Sequence, residues 1–305
     1  MEKPNPSENQ VLIKNCAIGV NFADTRRRLG KYLEPTPLPF IPGMEVSGVV
    51  VEVGRRVRSF KPGDRVVSLI TNGGYAEYLA VDESIPVHIP DGISYEQAVA
   101  IPLQGITAYR ILKEQAKIEK GNTVLVHAAA GGVGLIAIQL AKIFGADKVI
   151  ATSSSTKKLE ITKSLGANYL VNYKANGCWP ELVKEITSGR GADVILDSIG
   201  EEIFYKSLEC LAENGKIVVY GRASGKETLF DPRHLMIKNQ QVNGFYFKGE
   251  NSHEKNKSIM QILLDYLRQN QLKVTIGATY PLSQANSAHK LIESRSSHGK
   301  IILKP

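Results

Sequence analysis

The stretch Val124-Leu125-Val126-His127-Ala128-Ala129-Ala130-Gly131-Gly132-Val133-Gly134-Leu135 constrains this chain more than any other, because an apolar β-branched run turns through glycines directly into a helical pattern. That order is the opening of a βαβ unit, and the residues after it repeat the alternation. The pattern predicts strands over 123–127, 148–152, 169–172, 194–198, 216–220 and 242–247. Helices are predicted between them over 135–144, 156–165, 179–188 and 202–211. Residues 103–245 are therefore expected to form an α/β domain built on a parallel sheet.

Residues 11–100 read differently. Short β-branched runs, Val49-Val50-Val51 and Asp64-Arg65-Val66-Val67, are punctuated at Pro42-Gly43, Gly54, Pro62-Gly63 and Gly73-Gly74, which is the spacing of a barrel-like β module. A long helix over 254–270 and a last strand at Lys300-Ile301-Ile302-Leu303 need not belong to the parallel sheet. The expected division is 1–102 with 246–305 for one domain and 103–245 for the other, in keeping with a prior of roughly 100–200 residues per domain. No internal repeat or low-complexity stretch is present.

The glycine turn carries chemistry as well as topology. A residue without a side chain at Gly131 lets the N–H groups around Ala130, Gly132 and Val133 approach a pyrophosphate, and Gly134 permits close packing of helix on strand. Ala129 stands at the first glycine position of G-x-G-x-x-G. A dinucleotide fold usually places Asp or Glu about 20 residues further on, to hold the adenosine ribose. Here the second strand ends in Ala151-Thr152-Ser153-Ser154-Ser155-Thr156-Lys157-Lys158. A carboxylate would repel a ribose 2′-phosphate, whereas hydroxyls, a helix N-terminus and a lysine ammonium attract one. The expected cofactor is NADPH, with the hydroxyls from Ser153 onward and the two cations Lys157 and Lys158 suited to its phosphate.

Other chemistries are excluded by what is missing. Hydrophobic residues make up 43% and charged residues 22%, which places the chain among folded globular proteins rather than disordered or collagenous ones. No apolar run approaches the roughly 18 residues that span a bilayer, and the first ten residues lack a signal-peptide order, so a cytoplasmic location is expected. Cys16, Cys178 and Cys210 are unclustered, and the six histidines share no ligand-like spacing with them, so neither a disulfide framework nor a zinc site is expected. There is no nucleophile elbow and no Walker lysine. Hydride transfer from the bound cofactor remains, with the protein supplying orientation and electrostatics. The +8 net charge is spread along the chain, densest at Arg26-Arg27-Arg28 and Lys31.

The chain resembles the medium-chain dehydrogenase/reductase superfamily, and within it the zinc-independent, zeta-crystallin-like quinone oxidoreductases. The motifs that carry the resemblance are Gly19-Val20-Asn21-Phe22-Ala23-Asp24, Arg28-Leu29-Gly30-Lys31-Tyr32, Ile41-Pro42-Gly43-Met44-Glu45-Val46-Ser47-Gly48, Lys61-Pro62-Gly63-Asp64-Arg65-Val66, Gly105-Ile106-Thr107-Ala108-Tyr109 and His127 to Gly134. Zinc-dependent relatives would carry histidine at Met44 and cysteine near Asn21. The resemblance implies an α/β fold, a Rossmann-type domain plus a β-rich GroES-like barrel, and NADPH-dependent reduction of a quinone or another electrophilic carbonyl compound. By the same resemblance Asn21 would line the nicotinamide and substrate cleft, and Tyr32 would stand near the substrate oxygen. Thr107 would bond the cofactor near its nicotinamide end, Lys158 with Tyr173 would hold the 2′-phosphate, and Gly221 and Arg222 would pass the nicotinamide half. A homodimer is implied.

Two departures bear on the substrate and the barrel. The family usually has a further pair of strands ahead of the segment matching Gln10-Val11-Leu12-Ile13, so either the barrel is trimmed or the natural start lies upstream. Arg26 stands where some quinone reductases have tyrosine, and a fixed cation would favour an acidic or carbonyl-rich ligand. Two rival readings remain: a 2-alkenal or enoyl-thioester double-bond reductase with the same hydride geometry, and a cofactor-binding or RNA-binding protein without turnover. Membrane association is not expected, and nucleic acid is the less favoured partner.

Overall fold

Eleven residues from Gln10 to Val20 form β1, buried along almost their whole length because neighbours cover both of its edges. The structure is a computed structural model describing residues 2–247 and 253–305. It divides into two compact units, Met1–Ile106 with Lys248–Pro305 and Thr107–Phe247. Residues 248–252, which the expected 246–305 segment includes, lie outside the described residues.

In the first unit β1 is followed by α1 (Phe22–Arg28), β2 (Glu45–Val53), β3 (Arg65–Leu69), β4 (Tyr78–Asp82), β5 (Val87–His88) and α2 (Tyr95–Ala98). One edge of β1 pairs antiparallel with β2, and the first half of its other edge pairs with β4. The register slips between Asn15 and Ala17, a bulge that lets a long strand serve several partners. The Asn15 Nδ2 donates to the Ala76 carbonyl there, at 2.8 Å. Helix α2 starts on a capping box in which Ser94 and Gln97 satisfy each other's backbone N–H groups. The chain then runs through Ile101–Gly105, α3 (Ile106–Arg110) and Ile111–Ala116, the outer two segments wound as π-helix.

The second unit is the expected alternation. Its elements are β6 (Thr123–Val126), α4 (Gly132–Ile143), β7 (Lys148–Ser153), α5 (Thr156–Ser164), β8 (Tyr169–Asn172), α6 (Trp179–Ile186), β9 (Ala192–Asp197), α7 (Glu202–Glu209), β10 (Leu211–Val219) and β11 (Gln241–Gly244). The sheet order is β11-β10-β9-β6-β7-β8 with every pair parallel, so chain direction across the sheet reverses between β6 and β9. In such sheets ligands bind outside the carboxyl ends of the strands at the reversal. Leu125, Ile150, Ile195 and Ile217 fill the core with Trp179 and Phe204. A 3-10 turn, Pro232–Lys238, leads into the edge strand β11, which stops at Gly244 rather than at the expected 247.

The chain then returns to the first unit through α8 (His253–Arg268), β12 (Ile276–Pro281), α9 (Ala285–Glu293) and β13 (Lys300–Lys304). Strand β13 takes the second half of the free β1 edge, antiparallel, and pairs parallel with β12 on its other side. Val11, Ile13, Ile18, Val46, Ile301 and Leu303 share one apolar core.

Candidate active site and cofactor site

In the second unit the predicted phosphate turn lies between β6 and α4. Gly131 is the N-cap of α4 in extended conformation, and no side chain caps the helix, so the first-turn N–H groups lack the usual hydroxyl or carboxylate partner. Ala130 is buried, and Gly132 and Val133 open the helix. A Cβ at Gly134 would lie 2.6 Å from the Ala129 carbonyl oxygen, closer than any side chain can come. Gly134 therefore lets α4 seat directly against the turn.

At the end of the next strand Ser153 is buried and pairs in register with Asn172. The Tyr173 N–H donates to the Ser153 carbonyl at 3.2 Å, which brings Ser153 and Tyr173 together. The Tyr173 ring also packs against the apolar core of this unit. Lys158 lies in the first turn of α5, and partial burial pushes its ammonium pKa down. The loop after β10 holds Gly221, with Arg222 exposed. It is pinned to the end of β9 by Ala223 N–H to Ser198 O at 2.8 Å and Ser224 N–H to Ile199 O at 3.0 Å. Thr107 is buried in α3. Sequence reasoning missed Asp197, the last residue of β9 at the point of reversal. Its Oδ1 accepts from the Ile199 and Gly200 N–H groups at 2.7 and 3.0 Å, while Oδ2 is buried with no partner among the described residues. An acid closing a buried strand ahead of Ser-Ile-Gly was the available signal.

In the first unit Asn21 stands between β1 and α1, 5% exposed. Its Nδ2 donates to Glu45 Oε1 at 2.6 Å, and its Oδ1 accepts from Gln104 Nε2 and Lys300 Nζ, both at 3.2 Å. Asp24, fully buried, accepts from the backbone N–H of Asn21 at 2.9 Å and of Gly43 at 3.3 Å. Burial pushes its carboxyl up to about 6, against those two hydrogen bonds and the Lys300 charge. The Tyr75 hydroxyl donates to Asp24 at 3.4 Å and lies 2.9 Å from His289 Nε2. Tyr32 lies past the other end of α1, half-buried, where the guanidinium of Arg27 stacks 5.0 Å from its ring and donates to the Thr71 carbonyl at 2.6 Å. The cation beside Tyr32 is Arg27, a neighbour of the Arg26 position in the same helix.

The donors at this site do not suit zinc. Met44 presents a buried thioether. The Glu45 carboxylate is taken by the Lys300 ammonium, Asn21 and the Leu103 N–H. Among the described residues no group of three or more His, Cys, Asp or Glu side chains is placed to hold a metal ion.

Comparison with known proteins finds a family match in each half of the chain. Residues 7–91 match the alcohol dehydrogenase GroES-like domain, and residues 132–265 match the family described as zinc-binding dehydrogenase. Quinone oxidoreductase-like protein 2 homolog of Nematostella vectensis is 38% identical over 99% of this chain and 83% of its own length. Quinone oxidoreductase 1 of Escherichia coli is 35% identical over 99% of this chain and 93% of its own. The chain belongs to the quinone oxidoreductase family of the medium-chain dehydrogenases/reductases. Among solved members, the Escherichia coli quinone oxidoreductase complexed with NADPH superimposes with a TM-score of 0.91 at 35% identity, covering 100% of this chain and 94% of that one. The quinone oxidoreductase of Thermus thermophilus, also described with its NADPH complex, gives 0.86 at 33% identity, covering 100% and 94%. The shared architecture is a GroES-like unit joined to a Rossmann-type parallel sheet, the α/β fold the sequence implied.

Proposed function

We propose that this family member is an NADPH-dependent, zinc-independent reductase that transfers a hydride to a quinone or another electrophilic carbonyl compound. The observation that carries the reading is the cradle at the ends of β6 and β7: an uncapped helix N-terminus beside hydroxyls and a lysine, with no carboxylate at the ribose position. The N-terminus of α4, at Ala130, Gly131, Gly132 and Val133, suits a pyrophosphate. Ser153, Lys158 and Tyr173 suit the 2′-phosphate. Thr107, Gly221 and Arg222 are assigned toward the nicotinamide by family likeness. NADPH, when bound, supplies the hydride. Asn21 would donate to the substrate oxygen as negative charge grows on it, stabilisation that needs no titrating group. Reduction of a quinone to its hydroquinone takes one hydride and one proton, and the proton would come from Tyr32 or from water.

The chain is assigned as a homodimer. Leu229, Met236 and Ile237 are 79%, 73% and 86% exposed ahead of the edge strand β11 in the chain, and Leu229 and Ile237 border a groove of about 440 Å³ lined by Tyr205, Leu208, Phe230 and His234. A second copy would bury this apolar face and pair the edge. A cytoplasmic location agrees with the free thiols of Cys16, Cys178 and Cys210, and among the described residues no helix is long and apolar enough to cross a membrane.

The deciding assay follows oxidation of NADPH and NADH with a panel of quinones, 2-alkenals and enoyl thioesters, before and after exhaustive chelation. Quinone turnover with NADPH at least tenfold better in kcat/KM, unaffected by chelation, is expected. Equal values for the two cofactors would remove the phosphate-site assignment, and activity lost with stoichiometric zinc would overturn the metal-free mechanism. Salt-sensitive RNA binding without turnover would replace the enzyme reading.

A further inference from the structure

Lys300, the first residue of β13, is 1% exposed, and its ammonium is paired with the fully buried Glu45 carboxylate. A buried ion pair is commonly no more stabilising than apolar residues of the same volume, so stability is a weak reason for it. Space is made for it as well: a Cβ at Gly19 would lie 2.4 Å from Glu45 Oε1. What the pair does is visible at Asn21. The carboxamide oxygen has two acceptor sites, and Lys300 and Gln104 fill both. The nitrogen has two hydrogens, and Glu45 takes one. Turning the amide over would set its NH₂ against an ammonium and its oxygen against a carboxylate, two repulsive contacts at once. Gln104 belongs to the π-wound segment Ile101–Gly105, and π-turns are frequent at functional sites.

We propose that Lys300, together with Glu45, is a positioning residue that locks the Asn21 carboxamide as a donor with a single free N–H. The proposal rests on the reading of Asn21 as a substrate-facing residue. A group meeting Asn21 must then be an acceptor, which a carbonyl oxygen is and which an alkoxide-like transition state becomes more strongly. The hydroxyl hydrogen of an alcohol finds no acceptor at this amide, so the site binds the carbonyl form in preference to the alcohol.

The test uses the full chain with selectively ¹⁵N-labelled asparagine. In the double variant Glu45→Gln/Lys300→Met both charges go together, so no unpaired charge is left in the core. The expected result is hydrogen exchange at the Asn21 side-chain amide at least tenfold faster than in the unsubstituted chain. Quinone kcat should fall at least tenfold, with the Kd for NADPH within twofold and the melting transition still cooperative. Lys300→Arg, which keeps the cation, should retain most of kcat. If the double variant does not fold, Gln104→Met serves in its place, since it removes one donor to the amide oxygen without removing a charge, and it should speed exchange and lower kcat about threefold or more. Unchanged amide exchange in the variant that folds would overturn the proposal, as would an unchanged kcat where Asn21→Ala lowers it. Should the unsubstituted chain reduce no quinone, the functional reading fails, while the exchange measurement still decides the locking.

Discussion

At the residue scale, electrostatics of single buried groups gives the sharpest expectations. Asp24 is raised from 3.8 to about 6 by burial, so the folded first unit holds a proton there that the unfolded chain releases. Its stabilising contribution is complete below pH 4 and is lost as pH rises to 6, a change of about 3 kcal/mol. His127 has the opposite sign. Fully buried between Thr152 Oγ1 at 2.8 Å and Ser207 Oγ at 2.9 Å, it is lowered from 6.5 to about 4, so its contribution is complete above pH 6.5 and is lost as pH falls to 4, again by about 3 kcal/mol. Urea unfolding of Asp24→Asn and His127→Gln across this window should show the first gaining on the parent chain as pH rises and the second gaining as pH falls. Parallel pH profiles for parent and variants would contradict both assignments. Lys158→Ala should weaken NADPH binding by about 1–3 kcal/mol, the range of hydrogen bonds to charged groups, while leaving NADH within a factor of two. Equal losses for both cofactors, by calorimetry, would detach Lys158 from the 2′-phosphate.

At the element scale, the seating of α4 on its turn would set the proposed cofactor cradle. Gly134→Ala would force a Cβ to 2.6 Å from one carbonyl and 2.8 Å from another, an overpacking of about 1–3 kcal/mol that also shifts the helix N-terminus. Loss of thermal stability together with weaker NADPH binding is expected, whereas Gly177→Ala, with nothing within 4 Å of its Cβ, should change neither. Retained NADPH affinity in the Gly134 variant would argue against this turn as the pyrophosphate site. The βαβ elements were legible because their signal is local: each buried strand is an apolar run bounded by a turn. Helix α9 was not, since its sequence Ala-Asn-Ser-Ala-His-Lys-Leu-Ile-Glu is polar and only Ala288 and His289 are buried. Strand β12 was not either, because its half-buried Ile-Gly-Ala-Thr-Tyr-Pro lacks a period of two. The assignment of Asn21 came only from family likeness, and its partners had no local signal, since the Lys300 ammonium that bonds it is 279 residues away in the chain. The stacking of Arg27 on Tyr32 had no signal in the sequence, because it depends on how the chain turns after a seven-residue helix.

At the scale of the whole molecule, the exposed apolar face ahead of β11 in the chain is the expected seat of the second copy. Ile237 is 86% exposed, so Ile237→Asp should cost the single chain within about 0.5 kcal/mol. Sedimentation should show a two-chain particle for the parent and a one-chain particle for the variant. A one-chain particle for both would leave the face for some other partner.

The first unit is discontinuous in the chain, and β13 fills the remaining edge of β1. On the ribosome this sets an order of events. The parallel-sheet unit has all its strands once Gly244 has emerged, and it can fold while translation continues. The unit that began first stays open, with half an edge of β1 bare and Glu45 without its counter-ion, until residues 300–304 are made several seconds later at roughly 5–20 residues per second. A nascent chain stalled in that interval would carry a finished parallel-sheet unit and an Asn21 amide without its lysine partner, an incomplete product that chaperones and proteases can tell from the mature one by its bare strand edge.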